Sequence, residues 1–432
     1  MNKNKNEKRI SFITIVLCLI LLPCLGVLIK IGFNSNYLIT KFFHRCLIGI
    51  SCMIVPIFGY SIYLYFRNRK ASNRLKTIKR VILSIFLSLY VGGCLAFVIL
   101  LYGPYSGFRT WLITTAMQTM NHQYLCKWFY NDKQITKVMG ENVVIESGES
   151  TKTEMVTKKR ATTFIDKYDK EILDVDVSLP YKIIELEVNG CKGYLAAVYD
   201  PSKVKLAVTS MLGRSGEYVT TMAEKNDAYL AINGGGFYDP NYSSSGGMPT
   251  SITISGGKIV TNNQYSAYNQ GGGIIGFTED DVLVLLKNKT AQQALDMGVR
   301  DAISWGPFLI VNGKQSFIRG NGGWGYAARS AIGQREDGIV LLLVVSSNRT
   351  RTKGADMVDL AEIMKRYHAI NAANLDGGTS TVMVLPKKEA QEKYNSPCSD
   401  RKNEAYCWIN TPYDSSGALK TRAISDAWVV LK

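Results

Sequence analysis

Three stretches of this 432-residue chain run without a single charged residue: Ser11–Ile29, Cys46–Phe66 and Val81–Tyr102. Each is close to the ~20 residues that ~30 Å of hydrocarbon requires of a helix. Uncharged runs of this length rarely occur three times in a soluble domain, so three transmembrane helices are expected. Charge agrees. Of the 51 Lys and Arg residues, 14 lie in residues 1–80, where Glu7 is the one acid. They cluster before the first run and in residues 67–80, whereas residues 30–45 hold only Lys30, Lys41 and Arg45. The positive-inside rule then puts the N-terminus and the 67–80 loop in the cytoplasm and everything after Tyr102 outside. The net charge of +16 is therefore topogenic. A nucleic-acid protein would carry that excess on a folded face, so no nucleic-acid partner is expected.

The chain divides into a three-span membrane anchor (1–102), a juxtamembrane helix and stem (103–180) and a folded domain (181–432). Residues 103–135 are rich in aromatics and read as an interfacial helix at the bilayer surface. Residues 140–180 are polar without sustained periodicity and read as a stem or linker. From Tyr181 the texture changes to short apolar runs between Gly, Asn, Asp and Ser clusters, among them Val204–Thr209, Ala228–Ile232, Ile339–Val345 and Ala427–Leu431. Their length and β-branching predict strands. A helix begins at Asp356, with Asp359 at the N3 position, and a weaker one spans Thr290–Met297 before Gly298. The fold class is thus α+β, a mixed sheet with helices. Cys398 and Cys407 close a short loop where a disulfide is possible.

Three enzyme classes drop out. Only His368 among the three histidines falls in the folded domain, at the end of an amphipathic helix, where it suits the helix dipole better than a Ser-His-Asp triad. Cys191, Cys398, Cys407 and His368 lack zinc-ligand spacing. The run GNGGWG at 320–325 is neither a phosphate loop nor a dinucleotide fingerprint. No cofactor and no metal are expected.

What remains is polar residues at glycine-rich strand ends. Asn233 leaves a strand through Gly234, Gly235 and Gly236 toward Asp239, either as a plain turn or as a close approach for a ligand. Asp376 follows a strand and precedes Gly377, Gly378, Thr379 and Ser380. Asp-Gly is also an ordinary turn dipeptide. Arg329 opens a strand. Together the three elements point to a site for an anionic substrate.

The runs AINGGGFYDP (231–240), SWGPFLIVNGK (304–314), RSAIG (329–333) and NLDGGTST (374–381) resemble the phosphodiester glycosidase family. The likeness covers roughly 190–432, and the closing Thr421-Arg422-Ala423-Ile424 before an apolar strand fits it too. Two departures bear on pocket shape. Three glycines and Tyr238 stand where the family usually has two glycines and two aromatics, and Thr379 stands where a third glycine is common. The resemblance implies hydrolysis of a sugar-1-phosphodiester at the anomeric carbon. It makes Asp376, Arg329 and Asn233 the expected catalytic residues. Arg329 and the Gly234–Gly236 amides would hold phosphate, and Asn233, Thr379 and Ser380 the sugar. Ser304, Gly306, Gly377 and Gly378 would line the substrate, with Asp239, Asp301 and Asp337 as weaker candidates for a second carboxylate. The expected partners are the lipid bilayer and an extracellular phosphodiester-linked glycan or cell-wall polymer. A glycan-binding module or a glycan transferase of the same fold are the alternatives.

Overall fold

The computed structural model describes residues 106–118, 123–160, 163–175, 179–238, 245–263, 272–350, 352–396, 405–413 and 417–432, with isolated helical positions between 82 and 103. The first two apolar runs lie outside the described residues, and so does most of the third. Among the described residues no helix is long and apolar enough to cross a membrane. The chain separates into two units, Met1–Ile113 and Thr114–Lys432. In the first, Arg109 Nη1 donates to the Gly103 carbonyl at 3.4 Å, and the rings of Phe108 and Trp111 lie 5.6 Å apart.

Among the described residues, three large sheets and one two-stranded sheet build the second unit. The largest has seven strands, in the order Lys314–Gln315, Phe308–Val311, Ala369–Asn374, Arg329–Arg335, Val340–Val345, Cys191–Val198 and Tyr181–Val188. A five-stranded sheet runs Tyr406–Trp408, Met383–Pro386, Ala228–Asn233, Asp426–Leu431 and Val204–Val208. Another runs Lys258–Asn262, Ile252–Ser255, Val299–Trp305, Gly273–Thr278 and Leu283–Leu286. Their inner faces share one core. Alternation decides which side chain goes where: Val340, Leu342 and Val344 join that core, while Leu341, Leu343 and Val345 pack outward under the helix Met357–Arg366. A strand covered on both faces needs apolar residues at every position, which is why it reads as an unbroken run.

The class is α+β, but the pairings among the described strands are antiparallel, so the sheets are not mixed. Strands Val340–Val345 and Ala369–Asn374, joined by the helix, do not touch. Arg329–Arg335 lies between them and runs opposite to both. Local strand–helix–strand reading cannot see an inserted strand from earlier in the chain. The helix itself begins as expected, with Asp356 and Asp359 closing a capping box. Thr290 caps Ala291–Asp296 in the same way.

Residues 103–180 depart furthest from expectation. The aromatic segment forms three helices, Ser106–Met117, Gln123–Phe129 and Asp132–Glu141. What read as a stem is stitched into the body. Val143–Ile145 pairs with Phe317–Arg319, and Thr151 Oγ1 receives the Leu285 amide at 2.9 Å. Asp169, 1% exposed, receives Arg335 Nη2 at 2.6 Å. These are polar, long-range attachments, which leave no hydrophobic period in the sequence. Asp169→Ala should cost about 2 kcal/mol in denaturant unfolding. Removing one partner of a buried ion pair costs more than that, but Asp337 still pairs with Arg335 at 2.9 Å.

Candidate active site

Five strand termini converge at one edge of the sheets. Asn233, Trp305 and Asn374 end strands there, and Arg329 and Asp426 begin them. Asp376 ties the seven-stranded sheet to the five-stranded sheet that holds Asn233. Its amide donates to Gly234 O at 3.1 Å, and the neighbouring Leu375 amide donates to Ser330 O at 2.9 Å. Its own carbonyl receives Asn233 Nδ2 at 2.8 Å.

Asn233 is fully buried. Its Oδ1 accepts from Ser330 Oγ at 2.6 Å and from the Val382 amide at 3.2 Å. A side chain so engaged holds the Asp376 backbone in place and is not offered to a sugar hydroxyl. Asp376 itself is only partly buried. Its Oδ1 receives the Gly377 amide at 2.9 Å. Burial raises its pKa, opposed by the Ser380 hydroxyl, Arg422, the Gly377 amide and Arg329. The carboxylate is thus desolvated but matched by donors and two cations, as a reactive group should be.

Arg329 is 5% exposed. Its Nη2 donates to the carbonyls of Trp324 and Gly325, and its guanidinium lies 5.6 Å from the centre of the Trp324 ring. Nη1 turns toward Gly377, where an added Cβ would stand 3.2 Å away. Burial draws the arginine's pKa down to about 10 against the pull of Asp356 and Asp376, so it stays charged at neutral pH. Arg422 is the second cation acting on Asp376. Its guanidinium sits 4.4 Å from the centre of the Phe237 ring, an arrangement that orients the charge without neutralising it.

The glycines serve packing more than phosphate. The Gly234 amide donates to Asp426 O at 3.0 Å and the Gly235 amide to Asp426 Oδ1 at 2.7 Å. Two of the three amides expected at an anion are therefore spent inside the protein. A Cβ on Gly234 would meet Asp426 Oδ1 at 2.1 Å, and one on Gly236 would meet the Trp305 ring at 2.1 Å. Gly378 is different: its φ of 63° is open to glycine at low cost, and its amide reaches Ala328 O at 2.8 Å. Thr379 is partly exposed at this turn, and Ser380 is buried against Asp376. Ser304 is partly exposed beside Trp305, and Gly306 is buried, its carbonyl receiving Asn374 Nδ2 at 2.8 Å.

Of the weaker carboxylate candidates, none described reaches the site. Asp301 is consumed by Arg300 and the Gly256 amide. Asp337 binds Arg335, at the far end of the strand that Arg329 opens; six residues of strand put it about 20 Å away. Asp239 lies outside the described residues. His368 precedes the strand whose other end leads to Asp376, and it pairs with Asp166 at 3.2 Å. The carboxylate that does lie behind Asp376 is Asp426. Sequence reasoning passed over it and gave Arg422 a place in the closing motif but no role, although an acid opening an apolar strand is a signal of the same kind as Arg329. Among the described residues no group of three His, Cys, Asp or Glu side chains is placed to hold a metal ion. Cys407 is disulfide-bonded; Cys398 lies outside the described residues.

The arrangement offers one partly buried carboxylate acted on by two guanidinium groups, with a tryptophan nearby, which suits an anionic substrate with an apolar ring face. The chain is 26% identical over 197 residues to a SPbeta prophage-derived uncharacterized protein of Bacillus subtilis strain 168, a match covering 44% of this chain and 29% of that protein's length. Among solved structures it is similar to the catalytic domain of zebrafish N-acetylglucosamine-1-phosphodiester alpha-N-acetylglucosaminidase auto-inhibited by pro-peptide. That likeness has 21% identity and a TM-score of 0.45, over 60% of this chain and 86% of the other. A hypothetical protein from Synechocystis is similar at 15% identity and a TM-score of 0.35, over 58% and 61%. Residues 226–431, a little under half of the chain, match the phosphodiester glycosidase family.

Proposed function

We propose that the chain is a membrane-tethered hydrolase whose domain 181–432 cleaves sugar-1-phosphodiester linkages in extracellular glycans. The observation that carries the reading is Asp376, a desolvated carboxylate acted on by both Arg422 and Arg329. In the reaction the bond between the anomeric carbon and the bridging oxygen breaks, and the oxygen leaves with the phosphate as a monoester. Asp376 attacks the carbon or deprotonates the attacking water, which supplies the new hydroxyl. A phosphate monoester is a good leaving group, so the site needs cations more than a general acid. Arg329 and Arg422 fill that role, and Trp305 offers a surface for the sugar. The tether and the extracellular setting rest on the three uncharged runs and on the basic residues clustered at 67–80.

The test is turnover of a small panel of sugar-1-phosphodiesters by the full chain, read as free reducing sugar. Binding without turnover would make the domain a recognition module, and product joined to an added alcohol would make it a transferase. Arg329→Ala should lower kcat/KM on the charged diester at least ~10-fold more than on a neutral aryl glycoside of the same sugar. Equal losses on both would remove the arginine from phosphate binding.

A further inference from the structure

Asp426 opens the strand Asp426–Leu431 directly behind the turn that carries Asp376, and it is 1% exposed. Oδ1 receives the Gly235 amide at 2.7 Å and Oδ2 meets Ser425 Oγ at 2.6 Å. The next link forward is the Gly234 carbonyl, which holds the Asp376 amide. Gly234 has no room for a side chain because Asp426 Oδ1 fills the space. The two carboxyl groups are thus separated by one glycine turn, and of the two only Asp376 keeps some exposure to solvent.

The charges around Asp426 are few. From its own segment comes Arg422, which lies over Phe237 and acts on Asp376. From the strand Arg329–Arg335 comes Arg329, which answers to Asp356 and Asp376. On the strand Val204–Val208, uncharged Val208 lies opposite Asp426, and Lys205 is set among Arg300, Asp301 and Asp281. Glu217, bridged to Ile424, is held by Lys225 and Ser210. Ile303 of the third sheet packs on Gly235 and is apolar. Among the described residues Asp426 makes no ion pair, so the charge that acts on it is that of Asp376.

We propose that Asp426 is a positioning residue that fixes the charge of the site: as a neutral acid it lets Asp376 hold the single negative charge, and as an anion it adds a second that disfavours a phosphodiester. A buried acid without a cation keeps its proton. Burial, reinforced by Asp376, lifts the Asp426 pKa to about 7, against the Ser425 hydroxyl and the Gly235 amide. The two groups therefore titrate as a pair, with Asp376, the less buried member, losing its proton first.

This inference rests on the phosphodiesterase reading, and the experiment separates the two. The full chain and its Asp426→Asn variant are compared from pH 5 to pH 9, in thermal midpoint without substrate and in kcat/KM on a sugar-1-phosphodiester. Asn keeps the acceptor for Gly235 and offers Nδ2 to Ser425. In the parent, kcat/KM should fall roughly tenfold from pH 6 to pH 8.5, and the thermal midpoint should fall as pH rises through 7. In Asp426→Asn both slopes should flatten. Ser425→Ala removes a bond to the ionised form, so it should move both midpoints to higher pH. Slopes in Asp426→Asn equal to the parent's overturn the proposal. If Asp426→Asn does not fold, an unmoved midpoint in Ser425→Ala overturns it instead. Absence of turnover in every variant sinks the phosphodiesterase reading alone, because the thermal midpoints still decide the role of Asp426.

Discussion

Asp376→Asn should fold normally and turn over a sugar-1-phosphodiester at least ~10²-fold more slowly than the parent protein. Asparagine keeps an acceptor for the Gly377 amide and leaves the backbone links to Gly234 and Asn233 untouched. What it loses is the negative charge that must either attack the anomeric carbon or take a proton from water. Stability runs the other way. Burial raises the Asp376 pKa, so the folded chain binds this proton more tightly than the unfolded chain does. Stability then falls as pH climbs from the ordinary carboxylate range through the raised value. Asn at 376 escapes that cost, so its thermal midpoint at neutral pH should equal or exceed the parent's. Loss of activity with gain of stability marks a residue retained for chemistry. Near-parental kcat in the variant would remove Asp376 from the mechanism.

Gly234→Ala should be the most damaging of the glycine substitutions at the site, costing about 4 kcal/mol of unfolding free energy. The new methyl would stand 2.1 Å from Asp426 Oδ1 and 3.0 Å from Asp426 O. Neither atom can step aside cheaply. The carboxylate is held by the Gly235 amide and Ser425, and the carbonyl receives the Gly234 amide. The strand Asp426–Leu431 must shift, and a buried carboxyl then loses a donor. Because Gly234 O also anchors Asp376, kcat should fall even where the variant remains folded. Gly140→Ala is the control. Gly140 lies in the helix Asp132–Glu141 with nothing within 4 Å of an added Cβ, and the change should stabilise by up to ~1 kcal/mol. Equal effects at the two positions would refute the packing account of Gly234.

The parts of this architecture that were legible in the sequence are those written in local signals. The helix start at Asp356, the short helix near 290–297 and the apolar runs at 339–345 and 427–431 appear in the structure at those places. The site was legible as a set of strand ends, because Asn233 and Asp376 each end an apolar run beside glycine and Arg329 opens one. Their division of labour was not. Whether Asn233 offers its amide to a ligand or spends it on Ser330, Val382 and Asp376 depends on three segments far away in the chain. The family resemblance alone made the Gly234–Gly236 turn an anion cradle, and nothing nearby reveals that Asp426 takes two of its amides. The segment 143–175 misled for the same reason. Its attachments at Thr151 and Asp169 are single buried polar contacts, each without a period to announce it.

The placement of Asp426–Leu431 in its sheet, between Ala228–Asn233 and Val204–Val208, has a consequence for how the molecule comes to exist. A central strand that is made some two hundred residues after both its neighbours gives the domain a high contact order, and such topologies fold slowly. A nascent chain that has emerged only as far as Lys420 holds Asn233, Arg329 and Asp376 but neither Arg422 nor the strand that brings the sheet together. Enzymatic competence should therefore arrive in one step, late in synthesis, and any truncation upstream of Asp426 should yield an inactive, protease-sensitive product and not a partly active one.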